Sequence, residues 1–117
     1  MKAIPTKLNF DSLVGSALIQ VCLGEHDIQF HFDNSVSISG SGNVSVKREG
    51  IEKRMNGENG LSDSSPVAGI LGEQVTSWKI ESSHCLSISL GEKATILFTS
   101  EDSPYEDFIT EPSGLVW

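Results

Sequence analysis

The strongest constraint on this chain is a strict alternation of apolar and polar residues, written twice. Ile28-Gln29-Phe30-His31-Phe32 is one instance and Leu86-Ser87-Ile88-Ser89-Leu90 is the other. Successive side chains of a strand point to opposite faces, so a period of two marks strands with one face in a core and one toward solvent. Half-buried strands of this kind belong to antiparallel sheets. The alternation continues on both sides. Ile19, Val21 and Leu23 precede the first instance, with Gln20 and Cys22 on the other face, and Val36-Ser37-Ile38-Ser39 follows it. Thr76, Trp78 and Ile80 precede the second, and Ala94 to Phe98 follows. Turn formers punctuate the runs at Gly24-Glu25-His26-Asp27, Asp33-Asn34, Glu81 to Ser83 and Gly91-Glu92.

These runs form an internal echo, 13–38 and 70–96. Leu13-Val14-Gly15 aligns with Ile70-Leu71-Gly72 at an offset of 57, and Leu18, Val21 and Leu23 align with Val75, Trp78 and Ile80. One inserted residue then raises the offset to 58, matching Ile28, Phe30, Phe32, Val36 and Ile38 to Leu86, Ile88, Leu90, Ala94 and Ile96. Two copies are too few for a solenoid; they predict two similar halves packed on each other. Asp11-Ser12 and Ser65-Pro66 are helix-start residues, and glycine ends helices in the left-handed region. Each half is therefore expected to open with a helical turn stopped at Gly15 or Gly72.

The fold expected is a single all-β domain over 1–117, six or seven antiparallel strands in a sandwich or partly open barrel. Its predicted core is Val21, Leu23, Ile28, Phe30, Phe32, Ile38, Trp78, Ile80, Leu86, Ile88, Leu90 and Ile96. Gly40-Ser41-Gly42 reads as a bend, and Asn43 to Val46 as an edge strand continuing the first meander. The polar stretch 47–65 reads as a mobile connection between the halves. The C-terminal segment from Glu101 is expected to add a last strand or to dock across the sheet, with Trp117 covering the core or frayed.

Charge and composition narrow the function. Sixteen Asp and Glu against eight Lys and Arg give a formal charge of -8. That balance argues against nucleic acid and against anionic membranes, which select basic surfaces. No apolar run approaches the roughly 20 residues of a membrane span. The opening MKAIPTKLNF lacks the apolar core of a secretory signal, so a cytoplasmic location is expected. Cys22 and Cys85, with no CxxC spacing, read as free half-buried thiols in a reducing compartment.

No common catalytic signature occurs: the sequence has no HExxH, GxSxG, P-loop or GxGxxG. His26, Asp27, His31 and Asp33 form its one His/Asp cluster. Imidazole and carboxylate suit zinc, but residues at i and i+2 on an exposed strand face are more simply polar. His84 and Cys85 are adjacent, and adjacent strand residues face opposite ways, which separates thiol from base. No catalytic residue, metal or cofactor is therefore assigned. The acidic residues say more. Glu101, Asp102, Glu106, Asp107 and Glu111 place five carboxylates within eleven residues, and no basic residue follows Lys93. One reading is a solvated, charge-repelling tail. The sharper one is a docking surface for a cationic protein, with Tyr105 and Phe108 as aromatic anchors within the charge.

The starts Leu13-Val14-Gly15 and Leu71-Gly72, the runs Ile28 to Phe32 and Leu86 to Leu90, Trp78 and the late Tyr105-Glu106-Asp107-Phe108 together resemble a family. It comprises small acidic bacterial all-β proteins of mostly unassigned function, some acting as immunity proteins in contact-dependent growth inhibition and other polymorphic toxin systems. The resemblance spans Leu13 to Ile109 and implies a fold and a partner class, with no catalytic residue. It leads to the expectation of a cytoplasmic immunity protein that neutralises a basic, nuclease-type toxin domain through an acidic surface. The expected contacts are Glu101, Asp102, Tyr105, Glu106 and Asp107. The 47–65 stretch is a second candidate, and the turn carboxylates Glu25, Asp27 and Asp33 a third if the last strand is interior. The alternative is a non-catalytic small-ligand-binding module or a structural or oligomerisation module.

Overall fold

The alternating runs become hairpins, and the hairpins become two meanders. The computed structural model describes residues 4, 8–24, 27–41, 43–55, 69–92, 94–100 and 108–112. Among the described residues nine strands follow in chain order: β1 (Leu18–Leu23), β2 (Ile28–Phe32), β3 (Ser37–Gly40), β4 (Asn43–Arg48), β5 (Ile51–Arg54), β6 (Val75–Ser82), β7 (Cys85–Leu90), β8 (Ala94–Thr99) and β9 (Phe108–Glu111). They form two antiparallel sheets, one ordered β1-β2-β3-β9 and the other β5-β4-β8-β7-β6. The architecture is an all-β sandwich with open edges, with two or three more strands than the six or seven expected.

The echo is a real structural repeat. Gly15 N–H donates to the Val75 carbonyl and Gly72 N–H to the Leu18 carbonyl, both at 2.8 Å. Leu18 N–H donates to the Glu73 carbonyl at 3.0 Å, and Val75 N–H to the Ser16 carbonyl at 2.8 Å. Each bond is the other's image under the 57-residue offset, with the Ala17–Gln74 bridge at the centre. A local two-fold therefore relates the halves and ties the sheets together at one corner. The helical turn exists as a 3-10 turn at Asp11–Leu13, where the Asn9 side chain accepts the Asp11 N–H at 2.7 Å. Gly15 (φ 92°) and Gly72 (φ 87°) are both left-handed, as expected of the stops. The proposed start at Ser65-Pro66 lies outside the described residues.

The halves exchange their fourth strands. β4 follows the first meander, yet it crosses at Ser41 to pair with β8, Val46 opposite Ile96. β9 follows the second meander and pairs with β3, Thr110 opposite Ile38. This corrects the reading of Asn43 to Val46 as an edge of the first sheet: β4 is interior to the second, between β5 and β8. It also corrects the connection 47–65. Its first eight residues finish β4 and form β5, joined by Glu49 (φ 53°) and Gly50 (φ 81°), a two-residue turn whose paired left-handed conformations match strand twist.

One core cluster lies between the sheets. Ile28, Phe30, Phe32, Ile38, Leu86, Ile88, Leu90 and Ile96 are all buried, and Val21 and Trp78 pack partly buried against them. Leu23 and Ile80 depart from expectation, being 37% and 38% exposed near the ends of β1 and β6. The meander starts depart too. A bulge between Leu18 and Gln20, repeated between Val75 and Ser77, adds a residue to each strand. It turns Leu18 and Val75 inward and leaves Ile19 and Thr76 exposed. The turn expected at Glu81 to Ser83 is shifted, because β6 runs through Ser82 with a second irregularity between Ile80 and Ser82. The inserted residue of the second copy is absorbed there.

Candidate functional site

The expected contact residues Glu101, Asp102, Tyr105, Glu106 and Asp107 lie outside the described residues. They immediately precede β9, whose first residue, Phe108, is buried and edge-on to Phe98 at 5.6 Å. β9 is an edge strand. Glu25 and His26 also lie outside the described residues, as do 56–65 of the polar connection. Asp27 and Asp33 are described and separate. Asp27 accepts a bond from the Gln29 side chain at 3.2 Å, and Gln29 in turn meets His31 Nε2 at 3.1 Å. Asp33 instead accepts the Ala17 N–H at 3.2 Å beside the two-fold bridge. His31 is thus engaged in a polar row along the outer face of β2. Among the described residues no three His, Cys, Asp or Glu gather as a metal-ligand set.

His84 and Cys85 take different partners. His84 Nδ1 lies 3.3 Å from Ser100 Oγ, whereas Cys85 Sγ accepts from Thr99 Oγ1 at 3.7 Å. Both cysteines are free and half-buried, Cys22 in one sheet and Cys85 in the other. No helix is long and apolar enough to cross a membrane among the described residues.

What sequence reasoning missed is the distribution of exposed apolar and basic groups. Val14 (46%), Ile19 (59%) and Leu71 (49%) are exposed on segments that meet at the two-fold corner. Asp11, Asp33 and Glu73 are exposed on the same segments. Asp11 is held in place by Trp78, whose Nε1 donates to its carboxylate at 2.9 Å while Phe10 packs edge-on against the indole at 5.7 Å. Basic residues concentrate elsewhere. The β4–β5 hairpin carries Lys47, Arg48, Lys53 and Arg54, with every residue of β5 exposed and Ile51 63% exposed. Arg54 bonds to the Asn43 side chain across the hairpin. The signal for this hairpin was a two-residue Glu49-Gly50 turn. Glutamate at its first position, where Asn, Asp and Gly are preferred, concealed it.

Two surface pockets adjoin these features. One of about 340 Å³ is lined by Arg48, Gly69, Glu73, Leu90, Gly91, Glu92 and Ala94. The other, about 550 Å³, lies between the 3-10 turn, the β2–β3 turn and the end of β9, with Phe10, Asn34 and Glu111 on its walls. Comparison with protein-family models, with curated proteins and with solved structures finds no match.

Proposed function

We propose that this chain is a protein-binding module, an immunity protein that neutralises a cationic, nuclease-type toxin domain in a bacterial cytoplasm. The observation that carries the reading is the segregation of charge. Residues 43–54 hold four bases and two acids, which leaves fourteen acids and four bases in the rest of the chain, a net of -10. A surface so biased attracts a basic protein and speeds its encounter. The exposed apolar residues Val14, Ile19 and Leu71 beside Glu73 support a protein partner, since interfaces combine apolar contact with a polar rim. The contacts proposed are Glu101, Asp102, Tyr105, Glu106 and Asp107, with Tyr105 as the anchor. Toxin domains that act on nucleic acid carry basic surfaces to meet a polyanion, and an acidic protein occupies the same surface.

The test is a growth assay. The C-terminal domain of the product encoded next to this chain is expressed with and without it. Rescue of growth by this chain, lost on reversing Glu106 and Asp107 to Lys, is the expected outcome. Rescue that survives the reversal moves the interface to the acidic corner. A toxic neighbour that this chain does not rescue removes the reading for that pair.

A further inference from the structure

The local two-fold relates the two pockets as well as the two halves. Under the echo offsets Gly69 corresponds to Ser12, Glu92 to Asn34 and Ala94 to Val36. The exchanged strands match too. Arg48 stands opposite Ala94 on β8, while Glu111 stands opposite Ser37, which puts Pro112 in register with Val36. Each pocket is therefore the same product of the fold. It forms where the turn ahead of the central bridge, the second turn of a meander and the end of the exchanged strand meet.

The two pockets differ in what lines them. In the first half Asn34 is committed to its surroundings: its side chain donates to the Ser12 carbonyl at 3.0 Å and accepts the Val36 N–H at 3.3 Å. Among the described residues that pocket has one charged group, Glu111, and no base. The second-half pocket, of about 340 Å³, has a guanidinium from Arg48 and carboxylates from Glu73 and Glu92. Small residues make the room for them. The Arg48 guanidinium lies against Gly69 and the Glu73 carboxylate against Gly91, places that a Cβ would take. Leu90 and Ala94, both buried, supply an apolar floor.

Opposite charges that share a pocket ordinarily close on each other. Among the described residues the ion pair is Lys79 with Glu81, at 3.7 Å; Arg48, Glu73 and Glu92 form none. A lone anion at Arg48 would meet two carboxylates, and a lone cation at the carboxylates would meet the guanidinium. A ligand with both signs satisfies all three groups. Guanidinium takes a carboxylate through two parallel hydrogen bonds, and an ammonium has three donors to share between two carboxylates. The volume is at the small end of ligand pockets, which suits a molecule carrying both charges on one carbon.

We propose that this pocket binds a free α-amino acid as its zwitterion. The carboxylate takes Arg48, the ammonium takes Glu73 and Glu92, and a small apolar side chain lies over Leu90 and Ala94. The site is independent of the toxin reading, and its test needs no partner protein.

The experiment is a titration of the full chain with L-alanine near neutral pH, followed in amide proton–nitrogen correlation spectra. Saturable shifts are expected at Gly69, Glu73, Gly91 and Glu92, with a dissociation constant of about 1 mM or tighter. Ser12 and Asn34, in the twin pocket, are expected to stay in place. N-acetyl-alanine lacks the ammonium and alaninamide lacks the carboxylate; each is expected to bind about tenfold more weakly or worse, as for a lost hydrogen bond to a charged group. Arg48→Met and Glu73→Gln change exposed side chains and are expected to weaken L-alanine by a similar factor, with the signals of the rest of the chain unmoved. Binding weaker than about 1 mM overturns the proposal. So do single-charge analogues that bind as well as L-alanine, or shifts that gather at Ser12 and Asn34. The analogues test the unaltered chain, so the outcome stands even if a variant fails to fold.

Discussion

Phe98→Ala tests the architecture most directly. Phe98 is wholly buried on β8 of the five-stranded sheet. Its ring stands edge-on to Phe30 at 5.2 Å and 80° and to Phe108 at 5.6 Å and 90°, both in the four-stranded sheet. Truncating a buried phenylalanine costs about 3–5 kcal/mol, and more where the walls cannot collapse into the space. Rigid rings on two sides, anchored in strands of the opposite sheet, place this site at the upper end, about 4–5 kcal/mol. Domains are stable by about 5–15 kcal/mol in total, so the variant is left near the edge of folding. With a urea dependence of about 2 kcal/mol per molar, the unfolding midpoint falls by roughly 2 M. Phe98→Leu retains most of the volume and loses the edge-to-face geometry, for about 1–2 kcal/mol. Phe30→Ala alone is expected to cost about 3–5 kcal/mol, and the double variant less than the sum, because each ring is part of the other's wall. A loss below about 1 kcal/mol for Phe98→Ala, with unchanged urea dependence, would refute the assignment of this ring to the inter-sheet contact.

Other expectations follow from the two-fold and its surroundings. Gly15→Ala and Gly72→Ala each force an alanine into the left-handed region, at about 1–2 kcal/mol. A Cβ at either meets nothing within 4 Å, so the two costs are expected to agree closely in urea unfolding; a gap above about 1 kcal/mol would show the positions are not equivalent. Trp78→Phe retains the edge-on contact with Phe10 but removes the donor to Asp11, and an exposed bond of this kind is worth about 1 kcal/mol. Asp11→Asn in the Trp78→Phe background is then expected to add almost nothing, which a double-variant cycle measures.

The legible parts of this fold were those where one local rule acted alone. Ile28 to Phe32 and Leu86 to Leu90 announced their inward faces because neither strand contains a bulge. Gly15 and Gly72 announced left-handed stops because a left-handed turn favours glycine. Ile19 and Thr76 misled because a bulge adds one residue, and one residue flips the face without altering the alternation that precedes it. Leu23 and Ile80 misled for another reason: they lie near the ends of edge strands, where an inward side chain has a neighbouring strand on one side alone among the described residues. The destination of β4 was hidden altogether. Val44 and Val46 alternate like any half-buried strand, and nothing local says which sheet they join. The candidate contacts were legible only as charge, because Glu106 or Asp107 shows its sign in the sequence and its neighbours only in space.

The exchange of fourth strands has a consequence for how the chain folds. Each meander lacks a partner for its third strand within its own half. Ile38 on β3 is wholly buried and faces Thr110 on β9, and Ile96 on β8 is wholly buried and faces Val46 on β4. Neither half can therefore cover its own inner face, although each contains a complete three-stranded meander. Three-stranded sheets become independently stable only when their apolar face is packed, and here the meander opposite belongs to the other half, each half placing only its exchanged strands, β4–β5 or β9, across from its own meander. Fragments 1–60 and 61–117, made separately, are thus expected to show no cooperative urea transition. Mixed at equal concentration, they are expected to regain one, with a midpoint that rises with concentration because folding is then bimolecular. The repeat would be a pair of autonomous domains, and the strand exchange incidental, if either fragment alone unfolded cooperatively with the urea dependence of a packed core.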